Sequence, residues 1–168
     1  MVVISSVRIV SFLTQEEESA VKIQKEVIEE VKNLAAQGYK EIVLTGIHLS
    51  SYGKDLGTVN LLDVIKRIQQ IEDVERIRLG SLEPRIITEE FVKELVKCDK
   101  VCPHFHLSLQ SGCDQTLKRM NRKYTTEEYE EALNILRKYY EHPALTTDVI
   151  AGFVGETEEE FEKNKSIS

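Results

Sequence analysis

The chain has 168 residues, a formal net charge of −7, and 41% hydrophobic against 30% charged residues. This suits one soluble domain with a real core, and no apolar run approaches the roughly 20 residues that span a membrane. Negative charge of this size argues against the chain acting by itself as a nucleic-acid surface, which needs clustered Lys and Arg. The one basic cluster, LKRMNRK from Leu117 to Lys123, reads as a solvated helix face.

The first 19 residues contain the apolar MVVISSVRIVSFL and end in TQEEES. No small-residue cleavage site marks them as a signal peptide, and they read as a linker, remnant or appended strand before the core. Ala20–Gln24 (AVKIQ) alternates like a first strand, while Val27, Ile28, Val31, Leu34 and Ala35 have helical spacing up to Gly38, a suitable C′ residue. A strand here meets a helix without a connection, although βα turns usually take about 2–6 residues. The sequence therefore predicts that the Gln24–Lys25 junction marks an omitted segment.

Further strands are predicted at Glu41–Thr45, Arg76–Leu79, Phe105–Leu109 and Leu145–Ile150. Between them lie helices after Asn60, after Thr88, after Asp114 and after Thr125 or Thr126; a last one starts at Thr157, with Glu160 completing a capping box. Repeated strand–helix alternation predicts an α/β fold with a parallel sheet, either doubly wound or part of a (β/α) barrel.

Cys98, Cys102 and Cys113 are the only cysteines, and without a secretory signal they fit a reducing cytosol. Cys98 and Cys102 form C-x3-C, but a third ligand would have to come from beyond a whole strand. Small buried cysteines are the better reading, and no metal site is expected.

Chemistry gathers where the predicted strands end: TGIHLSSYG, GSLEP, LQSG and IAGFVGE combine glycines, hydroxyls, an amide and carboxylates. Parallel α/β folds bind ligands at that end. In strand four, His104, His106, Ser108 and Gln110 share one face, opposite Phe105, Leu107 and Leu109. A polar face on a central parallel strand predicts a wet or ligand-filled lumen.

The blocks EIVLTGIHLSSYGKDL, RIRLGSLEP, HFHLSLQSGCDQTLKRMNRKYT and TTDVIAGFVGETEEEF resemble the radical S-adenosylmethionine (SAM) methylthiotransferases. Within them, the nearest likeness is to the branch that modifies N6-threonylcarbamoyladenosine beside the tRNA anticodon. The likeness covers Ala20 to Lys165. It implies an incomplete (β/α)6, TIM-like barrel, with SAM at the C-terminal strand ends and the core domain spanning residues 20–168. It implies cofactor contacts from Gly46, Ile47 and His48 beside the methionyl amine, and from Ser81 and Glu83 near the ribose. Gln110 and Ser111 match the end of strand four, Gly152, Gly155 and Glu156 the last cofactor turn, and Arg122 a partner for the methionyl carboxylate. No catalytic residue carries over.

In this family the first strand leads into a C-x3-C-x2-C loop holding a [4Fe–4S] cluster. In the complete enzyme the cluster would donate one electron and cleave SAM to a 5′-deoxyadenosyl radical, which abstracts hydrogen from the base and allows sulfur insertion. Here that loop is missing between residues 24 and 25, so no cluster is expected and the chain as given is expected to be inactive. The resemblance implies tRNA as substrate, an electron donor such as flavodoxin, a cytoplasmic setting and no membrane. A sibling acting on isopentenyladenosine in tRNA or on a ribosomal protein, or a non-catalytic fragment keeping only the fold, stays open. The family's second-cluster domain and RNA-binding domain are not in this sequence. Val154 stands where the family's last turn usually has proline.

Overall fold

The computed structural model describes residues 7–12, 20–46 and 60–164. In chain order these form β1 (Val7–Phe12), α1 (Ala20–Ala36), β2 (Glu41–Gly46), α2 (Leu61–Ile68), β3 (Arg76–Leu79), α3 (Glu89–Leu95), β4 (His104–His106), α4 (Asp114–Arg119), α5 (Thr126–Tyr139), β5 (Ala144–Thr146) and α6 (Glu158–Lys163). A 3-10 turn at Pro84–Ile86 precedes α3.

All pairings are parallel. β2 lies between β1 and β3, and β4 pairs with β5. The two groups are joined by backbone bonds: Ile77 N–H donates to the Lys100 carbonyl at 2.7 Å, Cys102 N–H to Ile77 at 2.9 Å, and Leu82 N–H to His106 at 2.9 Å. The strands thus run side by side in sequence order. The helices pack in one row: α1 on α2, α2 on α3, α3 on α5. Sequential strands with a single helix layer form the wall of a barrel; a doubly wound sheet reverses its strand order and carries helices on both faces. β5 does not pair back onto β1, so the barrel is open.

The period-2 alternation of each strand gives the wall two unlike faces. Ile42, Leu44, Ile77, Leu79, Phe105, Leu107 and Leu109 point to the helix layer and are at most 4% exposed. The helices answer with Val31, Val64, Ile65, Ile68, Val92, Leu95 and Leu136, all fully buried. Burying a large side chain such as Phe105 stabilises by about 1.5–3 kcal/mol, which makes this seam the main source of stability. The opposite face carries Glu41, Arg76, Arg78, Cys102, His104, His106 and Ser108. Glu41 is buried there and accepts from Arg76 Nε at 2.6 Å and Arg78 Nε at 2.7 Å. These two hydrogen bonds hold its carboxyl below the ordinary carboxylate range. The polar lumen face expected from strand four is present.

Helix starts follow their caps. Asn60 with Asp63, Thr125 with Glu128 and Thr157 with Glu160 form reciprocal capping boxes, and the Thr88 hydroxyl accepts from Phe91 N–H.

Two expectations are corrected. Ala20–Gln24 is no strand but the first turns of α1. Gln24 is 2% exposed and continues the inward stripe of Val27, Val31, Leu34 and Ala35, so helical spacing outweighs five residues of alternation. The first strand lies instead at Val7–Phe12, inside the stretch read as a linker, remnant or appended strand, where Val7, Ile9 and Val10 favour extended backbone. The Gln24–Lys25 junction therefore sits within a continuous helix, and the β1–α1 connection is residues 13–19, which hold no cysteine.

Candidate functional site

Because all five strands are parallel, their C-terminal ends open on the same side, and the described site residues lie there. Gly46 ends β2. Ser81, exposed, and Glu83, half-buried, follow β3, with Glu83 at the start of the 3-10 turn. Ile47 and His48 lie outside the described residues.

The best-defined part of the site is the turn after β4. Gln110 has φ 69°, the left-handed region that disfavours any residue with a side chain. It is locked there from both sides: its N–H donates to the Asp148 carbonyl at 2.9 Å and its carbonyl accepts from Ile150 N–H at 2.8 Å. Ser111 is fully buried, and its hydroxyl donates to Asn164 Oδ1 at 3.2 Å while accepting from Cys113 N–H. Its hydroxyl is thus part of the turn's scaffold. Beneath the turn, the Tyr124 hydroxyl donates to the Leu109 carbonyl at 3.2 Å. Burial pushes its pKa up to about 12, so it stays a donor at any physiological pH.

The turn after β5 closes on itself. Glu156 N–H donates to the Phe153 carbonyl at 2.8 Å, with Gly155 at φ 79° in the third position of a type II turn. Glu156 Oε2 accepts from Gly152 N–H at 2.6 Å. The other carboxylate oxygen, Oε1, is buried and has no hydrogen-bond partner among the described residues. A Cβ placed on Gly152 would meet nothing within 4 Å. The turn thus combines an unpaired buried acceptor with an uncrowded glycine. Arg122, in the loop after α4, pairs with no carboxylate among the described residues.

α4 and α6 join these turns. Arg119 grips Glu160 through two hydrogen bonds, of 3.0 and 2.6 Å. The guanidinium, helped by the Thr157 N–H, pulls the Glu160 carboxyl down to about 2. Asn164 reaches back to the β4 turn, its Oδ1 accepting from Gly112 N–H at 2.5 Å. Sequence reading missed Asn164 and Arg119. The capping box at Thr157 located α6, but nothing in the sequence said what α6 packs on. Deeper in the lumen, His106 places Nδ1 3.1 Å from Thr146 Oγ1 and Nε2 3.4 Å from Asp148 Oδ2.

The cysteines do not converge. Cys98 and Cys102 lie before β4 and Cys113 after its turn, with Cys98 and Cys113 buried. The extended run from Cys102 to Gln110 separates them by on the order of 25 Å. No group of three or more His, Cys, Asp or Glu residues able to hold a metal ion occurs among the described residues. The residues present fit SAM, through the glycine turns, Gln110 and the orphan Glu156 oxygen. They do not fit a three-thiolate [4Fe–4S] cluster.

The Radical SAM superfamily profile matches residues 8–165. A curated relative from Bacillus subtilis (strain 168), threonylcarbamoyladenosine tRNA methylthiotransferase MtaB, is 46% identical over 138 residues, 82% of this chain and 31% of the relative. A tRNA-2-methylthio-N(6)-dimethylallyladenosine synthase from Clostridium botulinum (strain Hall) is 42% identical over 139 residues, again 82% and 31%. The chain thus spans about a third of the length of these relatives. Among solved structures, the cobalamin-dependent SAM radical enzyme OxsB superposes with TM-score 0.64 at 14% identity, covering 86% of this chain and 22% of that one. The radical SAM methyltransferase TsrM from Kitasatospora setae superposes with TM-score 0.61 at 20% identity, covering 82% and 27%. At these identities the likeness concerns the fold.

Proposed function

Because the chain belongs to the radical SAM superfamily, we propose that it is the cofactor-binding barrel of a tRNA methylthiotransferase acting on N6-threonylcarbamoyladenosine, and that it lacks its cluster. The observation that carries this is 46% identity to the Bacillus subtilis relative over 138 residues, 82% of this chain. In this reading Gly46, Ile47 and His48 line the methionyl end of SAM, and Ser81 and Glu83 its ribose. Gln110 and Ser111 hold the centre, with Arg122 toward the methionyl carboxylate. Gly152 and Gly155 let the backbone approach the ligand, and Glu156 Oε1 accepts a hydrogen bond from it.

The domain is the barrel core without its cluster-binding loop, which would belong to the β1–α1 connection. No three cysteines converge to hold a cluster among the described residues. SAM therefore binds weakly and is not cleaved by this chain, because losing metal chelation removes contacts worth several kcal/mol. The complete protein would use tRNA and an electron donor such as flavodoxin in the cytoplasm. No helix among the described residues is long and apolar enough to cross a membrane. A dimethylallyladenosine-type substrate is the second reading, supported by the names of several relatives.

Replacing Leu13–Ser19 with a C-x3-C-x2-C loop tests the proposal. After anaerobic reconstitution the repaired chain should take up about four irons and reductively cleave SAM. A repaired chain that folds but takes up no iron refutes the radical-enzyme reading. Micromolar binding of SAM to the unrepaired chain, by calorimetry, refutes the weak-binding part.

A further inference from the structure

We propose that the rim formed by α4 and the loop after it, through Lys118 and Lys123, is a contact surface for the RNA phosphate backbone. The inference rests on the tRNA reading above and adds where the RNA is held.

Between Asp114 and Thr125 the chain has four cations, Lys118, Arg119, Arg122 and Lys123, against the single carboxylate of Asp114, although its net charge is −7. A whole-chain number hides this local inversion of sign. The fold sets the inversion at the mouth of the barrel. α4 follows directly on the Ser111–Gly112 turn, and Arg119 Nε lies 3.8 Å from where a Cβ on Gly155 would sit.

The four cations are not equivalent. Arg119 is neutralised by Glu160, and Arg122 is assigned to the cofactor. Asp114 is occupied in accepting from Thr126 N–H at 2.9 Å. Lys118 and Lys123 are exposed, and neither pairs with a carboxylate among the described residues. Among the described residues the ammonium of Lys123 donates to the neutral Asn121 amide oxygen, at 2.6 Å, and Arg85 donates to the Lys123 carbonyl at 3.4 Å. Lys66 and Lys138 on the helix layer face carboxylates, Glu94 and Glu89. Exposed Lys25 and Arg67 there pair with none among the described residues, so what sets Lys118 and Lys123 apart is their place beside the strand-end turns. Unpaired cations at a rim are what a base inserted into the mouth would require: its flanking phosphates must stay outside, at the edge. An acidic protein partner would need no particular relation to the mouth, so RNA is the better fit.

The test is fluorescence anisotropy with a labelled anticodon stem-loop RNA and the full chain, titrated at several salt concentrations. The variant Lys118→Glu/Lys123→Glu is compared with Lys25→Glu/Arg67→Glu, which makes the same charge change on α1 and α2. The rim variant should bind on the order of tenfold or more weakly at 0.1 M salt. Its log K against log salt slope should be shallower by about 1.5, as for two lost phosphate contacts. The control should match the native chain, and thermal melts should match for all three.

Equal loss in rim and control variants, or no loss in either, overturns the proposal, as does binding of polyglutamate as tight as that of RNA. So does a native chain that does not bind the RNA at all. These results leave the cofactor reading to its own iron and SAM-cleavage test, so the two fail separately.

Discussion

Asn164 Oδ1 accepts from the backbone N–H of Gly112 at 2.5 Å, so the residue that ends α6 fixes the turn that ends β4, 52 positions earlier. The same oxygen accepts from the Ser111 hydroxyl, while the Asn164 amide nitrogen is buried without a hydrogen-bond partner among the described residues. Only the acceptor is in use. Asn164→Ala should therefore cost about 1–2 kcal/mol, by leaving the Gly112 amide unsatisfied, and should speed its hydrogen exchange. Asn164→Asp keeps an accepting oxygen and should be the milder change. NMR exchange rates and urea midpoints measure both, and an Asp variant as damaged as the Ala variant would count against this account.

Gln110 separates backbone strain from ligand contact. Gly at this position relieves the left-handed conformation, worth about 1 kcal/mol, and Val aggravates it. Gln110→Gly should hold or raise the melting temperature and lower SAM affinity in the loop-repaired chain, whereas Gln110→Val should lower both. Melting curves with calorimetry check the split. Unchanged affinity in the Gly variant would remove the side chain from the site.

Val154 is 86% exposed and sits in the second position of the turn closed by Glu156 and Phe153, where proline's fixed φ is favoured. Its N–H makes no backbone hydrogen bond among the described residues. Val154→Pro should stabilise by about 0.4–1 kcal/mol, by restricting the unfolded chain. A fall in the denaturant midpoint would show that the turn is of another type.

The Arg119–Glu160 pair gives a pH signature. The folded carboxyl, at about 2, lies below its ordinary value of 4.5, so the stabilisation is fully present above about 4.5 and lost as pH falls from there toward 2. Glu160→Gln keeps the N3 role in the capping box and removes the charge. The midpoint difference between the native chain and the Glu160→Gln variant should be constant above about pH 5 and shrink toward zero by about pH 2. A difference independent of pH would assign the effect to packing.

Phe105 tests the helix-facing seam. It is fully buried, with its ring centroid 5.0 Å from that of Tyr140. Phe105→Ala should cost about 3–5 kcal/mol, read from chemical denaturation.

The sequence displayed the barrel's repeating unit plainly, because period-2 strands, period-3.6 helices and capping boxes are local signals. Asn60, Thr88, Thr125 and Thr157 each announced a helix where one begins. Residues 20–24 failed because five residues of alternation fit either period, and only Gln24 turning inward with Val27 decides for helix. An appended strand was open for Val7–Phe12 from its β-branched residues, but its place beside β2 at the edge of the sheet is a non-local event that no window of sequence contains. The same holds for the site. Glycines at the strand ends were legible, but the partners that shape their turns come from far along the chain. Asn164 meets Gly112, Glu160 meets Arg119, and Asp148 meets Gln110.

Neighbouring positions on β3 answer to different demands. Ile77 and Leu79 are fixed by the helices behind them, while Arg76 and Arg78, one residue away, turn to Glu41 on the lumen face. A lineage carrying this wall could exchange the exposed lumen residues one at a time without disturbing the helix-facing seam, while Glu41 would have to change together with its arginines. The interior chemistry is free to drift at a rate the helix-facing residues cannot follow.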